Sequence, residues 1–204
     1  MSSESREKII EAARKVISEN GIAGATVRSI AKEAGVSTGA IYHYYASKED
    51  ILYDIIDESL TASARVAEKS KEGKSNREEI IKDVYDNLME RFKKTAENKL
   101  QFYLTHEVML GNSQLEERFQ KKYDEWISRI EDILVNTYGA EENIFTRALA
   151  AWLLAAVDGM VLQDLLNAKG ADDETIMRVF FLLLEEGIPH FLTLLKQLEQ
   201  IPDN

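Results

Sequence analysis

Thr26 to Lys48, reading TVRSIAKEAGVSTGAIYHYYASK, is the stretch that decides the fold. Thr26 is placed to cap a helix whose inward positions are Val27, Ile30 and Ala31. Ala34 and Gly35 then supply a tight turn, because glycine takes positive φ without the steric cost other residues carry. Ser37 stands at the N-cap of a second short helix, where a side-chain oxygen accepts an orphan backbone N–H. On that helix Ile41 and Tyr45, four apart, form the buried side, while Thr38, Gly39, Tyr42 and His43 gather on the other. Two helices joined this way make a helix-turn-helix, whose second helix is built to enter a major groove.

The residue types on the outer side suit DNA. Thr38 offers a hydroxyl and a methyl, the two handles that read base edges. Gly39 lets a backbone approach closely. Tyr42, His43 and Tyr44 can donate to phosphate oxygens, contacts that fix register without carrying sequence information. Ser47 caps the next helix with Asp50 three residues on, and Lys48 sets a cation at that helix start. With Thr26, Arg28 and Ser37 near the two helix starts, these residues form the candidate DNA-contacting set. Arg6 and Lys8, on the preceding helix, read equally as cations near phosphates and as a solvated helix end. A bare helix-turn-helix pattern also occurs in proteins that never touch nucleic acid. The Ser-Thr-Gly start, the Tyr-His-Tyr cluster and Lys48 tip the reading towards DNA.

The run from about Lys8 to Leu52 resembles the N-terminal DNA-binding domain of the tetracycline-repressor-like (TetR) family of bacterial regulators. The matching positions are Ala12–Ala13, Gly21, Thr26, Ile30–Ala31, Ala34–Gly35–Val36–Ser37, Gly39, Tyr42, Tyr44–Tyr45, Lys48–Glu49 and Leu52. Tyr45 stands where the family usually has Phe. The resemblance implies a homodimer joined through a four-helix bundle. It also implies an effector pocket in an all-helical C-terminal domain, whose occupancy changes the spacing of the two reading heads.

Composition bounds the rest. The 204 residues contain no cysteine and two prolines, so neither a disulfide framework nor a thiolate metal site is available. Abundant Leu, Ile, Ala and Glu, with no sustained strand alternation, predict an all-α protein. Residues 1–47 hold six Lys/Arg and five acids, leaving 19 bases and 31 acids for residues 48–204. The acidity behind the net charge of −11 therefore lies outside the reading head, where it repels DNA and leaves affinity to placed contacts. No basic–apolar leader opens the chain, and the longest apolar region, Ala148 to Val157, is too short to span a bilayer. A soluble, cytoplasmic protein without membrane attachment is expected.

Two domains are expected: residues 1–47 as the helix-turn-helix DNA-binding domain and residues 48–204 as the effector-binding and dimerisation domain. The first helix ends at Asn20–Gly21. A long helix runs from Lys48 to about Ser70, with Leu60 among its apolar positions. Ser75 with Glu78 and Ser113 with Glu116 read as capping boxes. Between those two, a helix is expected from about Lys99, after a break near Asn98. From Ile144 to about Ala168, and again from Asp173, the pattern is apolar almost all round. Such helices are buried on every face, either at the centre of a domain or under a second subunit. Pro189 should kink or break the last helix, because it cannot donate to the carbonyl of Glu185; His190 to Gln200 then continues helically.

Large or polar residues expected to face the interior of the C-terminal domain are Phe102, Tyr103, His106, Glu107, Tyr123, Trp126, Trp152, Asp158 and Met160. An aromatic cavity with one or two carboxylates suits an apolar or cationic compound. The plainer reading of aromatics at helical spacing is core. Asp158 reads equally as a ligand contact, a cross-subunit hydrogen bond or a bend point. No catalytic motif is present, His43, His106 and His190 lie on three different helices, and no metal or cofactor is expected. The function expected is a ligand-responsive, DNA-binding transcriptional regulator. It acts as a repressor, binding a palindromic operator as a dimer and released by a small hydrophobic or cationic effector. The alternatives are a helical enzyme or ligand carrier with a vestigial helix-turn-helix, and a DNA-binding regulator controlled by a partner protein.

Overall fold

The computed structural model describes residues 3–59 and 61–198. Among them all regular structure is helical: α1 (Ser3–Gly24), α2 (Val27–Ala34), α3 (Thr38–Tyr42), α4 (Lys48–Ser59), α5 (Ala62–Lys71), α6 (Arg77–Lys93), α7 (Thr95–Met109), α8 (Ser113–Tyr138), α9 (Ile144–Leu165), α10 (Asp173–Leu182), a π-helix (Leu183–Gly187) and α11 (Ile188–Leu198). The chain forms two compact units, Met1–Thr61 with Lys94–Phe119, and Ala62–Lys93 with Gln120–Asn204. This division does not fall between residues 47 and 48. Helix α4 packs on α1 and on α7 and buries Ile51, Leu52, Tyr53, Ile55 and Ile56, so it travels with the reading head.

In the first unit, α1 buries Ile9, Ile10, Ala13 and Val16, and breaks at Gly21. Thr26 and Ser29 form a reciprocal capping box: the Ser29 N–H donates to Thr26 Oγ1 (3.0 Å) and the Thr26 N–H to Ser29 Oγ (2.9 Å). Gly35, at φ 66°, closes α2 in the left-handed conformation the turn requires. Ser37 Oγ accepts the Ala40 N–H (3.1 Å) to open α3. Ser47 and Asp50 repeat the reciprocal cap at the start of α4, at 3.0 and 3.2 Å. The helix expected from Lys48 to Ser70 is interrupted. Thr61 is non-helical, and its hydroxyl donates to the Glu58 carbonyl (3.1 Å). Leu60 and Gln200 lie outside the described residues. Helix α7 starts four residues earlier than expected, at Thr95, so Asn98 falls inside it and is buried.

Two expected caps shift by one residue. Asn76 Oδ1, not Ser75, receives the Glu79 N–H at α6 (2.9 Å), and Asn112 Oδ1, not Ser113, receives the Leu115 N–H at α8 (3.1 Å). Asparagine caps as well as serine does, and each stands three residues before the N–H it receives.

The second unit is built on Ile81, Leu134, Ala140, Leu149, Ala150, Leu184, Ile188 and Leu192. Helices α9 and α10 are not buried on every face within this unit: Trp152 is 62% exposed and Leu182 59%, with Leu166 and Val179 similarly open. Helix α9, at 22 residues, is long and apolar enough to cross a membrane by length and composition, which corrects the shorter span read between Ala148 and Val157. Two of its charged residues are answered by α8, however, and the third, Asp164, by Lys169 (2.6 Å). Arg147 pairs with Asp124 and with Glu131 (2.9 Å), and Asp158 accepts from the Tyr123 hydroxyl (2.6 Å).

Pro189 does not break the helical run. The chain widens into the π-helix, where the Ile188 N–H reaches back five residues to Leu183 O. The carbonyls left over are met by side chains. Tyr138 donates to Leu184 O (2.9 Å), Arg77 to Glu185 O, and His190 Nδ1 to Glu186 O (3.0 Å). The Arg77 guanidinium also lies over the Tyr138 ring, 5.1 Å from its centroid. Burial pushes the Tyr138 phenol up to about 12.

Candidate nucleic-acid interface

Ile41 and Tyr45 are buried, as the four-residue spacing requires, so the opposite side of α3 must face outward. It does: Ser37, Thr38, Gly39, Tyr42, His43 and Tyr44 are exposed, as are Thr26 and Arg28 at the start of α2. Tyr42 is 57% exposed although it is a large aromatic, a waste of apolar burial unless a partner covers it. The His43 and Tyr44 rings stand edge to face with centroids 5.4 Å apart, which restrains both. Gly39 has no positive φ, and a Cβ built there meets only Ser37 Oγ, at 3.8 Å. The fold itself does not need glycine at this position.

Lys48 differs from the rest of the set. Its side chain is only 22% exposed, with Nζ 5.2 Å from the centroid of the Tyr103 ring and 3.9 Å from Glu49. Arg6 has protein partners of its own. It is held by Asp54 and by the Tyr45 hydroxyl (3.1 Å). The hydrogen bonds to Asp54 and Tyr45 raise the Arg6 pKa, and burial pushes the Tyr45 phenol up to about 12 despite the opposing Arg6 contact.

Residues 9–55, the span that includes this face, match the family model described as bacterial regulatory proteins, tetR family. Over this span the chain matches the TetR family. Across 89% of this chain and 94% of the relative, it is 26% identical to the fatty acid metabolism regulator protein of Bacillus subtilis. It is also 26% identical to HTH-type transcriptional regulator BetI 1 of Chromohalobacter salexigens, over 90% of each chain. Among solved structures, the transcriptional regulator FadR from Bacillus subtilis in complex with stearoyl-CoA superposes with a TM-score of 0.63 at 27% identity, covering 89% of this chain and 98% of that one. Together these matches mark the chain as a ligand-responsive DNA-binding transcriptional regulator. These relatives are named as regulators of transcription rather than as enzymes.

The residues expected to line a TetR-type effector pocket are dispersed. Phe102, Tyr103, His106 and Glu107 lie on α7 in the first unit, with His106 exposed in the last turn. Tyr123, Trp126, Trp152 and Asp158 lie in the second unit. There Tyr123 bonds Asp158 and stands edge-on to Trp126 at 5.1 Å, so Asp158 is a hydrogen-bonded position in an unbroken helix rather than a bend point. Trp152 lines a separate apolar groove of about 460 Å³ with Phe145, Leu149, Gly187, Ile188 and Phe191. A smaller cavity in the second unit, of about 50 Å³, contains one of the expected interior residues, Met160. It is lined by Met89, Phe92, Met160, Ile176 and Met177, with Gln163, Lys169 and Asp173 also contributing. Three of the chain's five methionines meet there, and their placement on three separate apolar helix faces is the one signal the sequence offers. Among the described residues no group of three or more His, Asp or Glu is gathered to hold a metal.

Proposed function

We propose that this protein is a repressor that binds a palindromic operator as a homodimer, with residues 1–47 reading the DNA and residues 48–204 providing effector binding and dimerisation. The outward side of α3 carries the reading: a five-residue helix whose buried anchors leave Thr38, Gly39, Tyr42 and His43 uncovered. In this assignment Thr38 reads a base edge, Gly39 admits the sugar–phosphate backbone, and Tyr42, His43 and Tyr44 donate to phosphates together with Thr26, Arg28 and Ser37. Lys48 contributes charge from beside Tyr103 rather than a projecting contact.

Dimerisation is assigned to α9 through α11, where Trp152, Leu182, Phe191 and Leu194 expose apolar surface that a second copy would bury. The effector is a small hydrophobic or cationic molecule. The Met-lined cavity supports the hydrophobic class, because unbranched thioether side chains rearrange readily around an apolar guest. Since a similar FadR structure holds stearoyl-CoA, a long-chain acyl-CoA is the first compound to try. A cytoplasmic location follows from a role on the chromosome.

Selection from a random-sequence duplex pool tests the reading directly. A recovered palindrome, bound by a species sedimenting as a dimer and released by the acyl-CoA or another apolar compound, is the expected result. Failure to enrich any sequence at low salt overturns it.

A further inference from the structure

The reading head is held by charged groups that lie outside the helix-turn-helix itself. Two carboxylates one turn apart on α4, Asp50 and Asp54, each divide their oxygens between two tasks. Asp50 Oδ2 accepts from the Ser47 N–H and hydroxyl (3.0 and 2.9 Å), fixing the junction that follows α3, while its Oδ1 accepts from Arg118 Nη1 (3.0 Å). Asp54 Oδ2 accepts from Arg6 Nε (3.0 Å), which also reaches the Tyr45 hydroxyl just beyond α3, while its Oδ1 accepts from Arg118 Nη2 (2.8 Å). The Arg118 guanidinium sits 3.8 Å from the centroid of the Tyr53 ring, and the Tyr53 hydroxyl donates back to the Arg118 carbonyl (3.1 Å). One planar fork near the start of α8 thus grips two successive turns of α4 and, through their second oxygens, both flanks of the recognition helix. Asp54 is only 6% exposed, so its charge depends on these partners.

We propose that Arg118 is a positioning residue for DNA reading: its fork sets the pitch of α4, and hence of α3, without touching the duplex. This rests on the DNA-reading function proposed above. Loss of the fork leaves the phosphate-donating groups in place but lets α3 lean, so sequence-specific binding suffers and general binding does not.

The test uses the full chain and the duplex selected with the wild-type protein, set against an unrelated duplex of equal length. Arg118→Gln, folded by circular dichroism, is expected to raise Kd for the selected duplex about tenfold or more while leaving Kd for the unrelated one within about twofold. The slope of log Kd against log salt should not change, because a lost phosphate contact would lower it by about one. Arg118→Lys, which keeps the charge but cannot fork, should fall between. Should Arg118→Gln fail to fold, Arg118→Lys is judged by the same ratio of specific to unspecific affinity. Unchanged specific affinity, a slope reduced by one, or a parallel loss of both affinities with melting temperature each overturns the proposal. A wild-type protein that selects no duplex overturns the DNA reading as well, which distinguishes the two failures.

Discussion

Replacing Gly39 by alanine should make the folded chain more stable and its grip on DNA weaker, two effects of opposite sign from one methyl. Within the protein the new Cβ would meet only Ser37 Oγ, at 3.8 Å, an ordinary contact that leaves the Ser37–Ala40 cap intact. Glycine costs a helix interior about 0.5–1 kcal/mol relative to alanine. Gly39 is the second residue of a five-residue helix, so the gain should sit near the lower end, about 0.5 kcal/mol. For a chain of this size that raises Tm by about 1–2 °C. In the proposed complex the same methyl would stand where Gly39 admits the sugar–phosphate backbone. Overpacking a close contact by one carbon costs roughly 1–3 kcal/mol, a five- to hundredfold rise in Kd. Thermal melting and fluorescence anisotropy on the selected duplex measure the pair. A Gly39→Ala protein that binds as tightly as wild type would show that no duplex backbone presses on this position. A lowered Tm would refute the claim that the site has room.

Thr38→Ala should relax base preference at one position of each half-site while leaving affinity for random duplex within about twofold, measured by repeating the selection with the variant. Equal losses on operator and random DNA count against a base contact. Tyr42→Phe should weaken binding to all sequences alike, by about 1 kcal/mol or roughly fivefold, as loss of one phosphate hydrogen bond requires; a sequence-dependent loss reassigns the residue. Trp152→Glu should convert the dimer to a folded monomer in sedimentation velocity, because it sets a charge in the proposed interface, and an unchanged dimer moves that interface elsewhere. The phenols of Tyr45 and Tyr138 keep their protons up to about 12 in the folded chain, above the ordinary tyrosine value near 10. Stability should therefore be complete below pH about 10 and decline as pH rises from 10 through 12. A urea midpoint that stays flat across that window contradicts the burial assigned to both rings.

The reading head is legible in the sequence because its determinants are local. Caps at Thr26 and Ser37, the left-handed Gly35 and the Ile41–Tyr45 spacing each act over three or four residues, and all four stand as the stretch predicts. Where two capping residues adjoin, as at Ser75–Asn76 and Asn112–Ser113, the sequence alone does not choose between them, and geometry selects asparagine both times. The effector residues are hardest to place, because a cavity is a property of packed helices. Phe102, Tyr103, His106 and Glu107 have the right chemistry but belong to the unit that carries the head, where Tyr103 holds Lys48. The Met89–Met160–Met177 cavity uses residues indistinguishable from core when each helix is read alone. Arg118 is invisible for a related reason. Its partners Asp50 and Asp54 lie more than sixty positions away, and no periodicity links them.

The widened turn at Leu183–Gly187 acts as a phase shifter for the end of the chain. A π-helical turn holds one more residue than the α-helix would, so everything after it is rotated by about 100° from the course α10 had set. Phe191 and Leu195 owe to that offset their place along the groove beside Trp152. Excising a single residue there would restore uninterrupted winding and swing both side chains a quarter turn aside. Two outside donors, Arg77 and Tyr138, would then be left reaching for carbonyls that had moved. The length of this one loop of backbone is thus as much a part of the coded surface as the identity of any apolar side chain upon it.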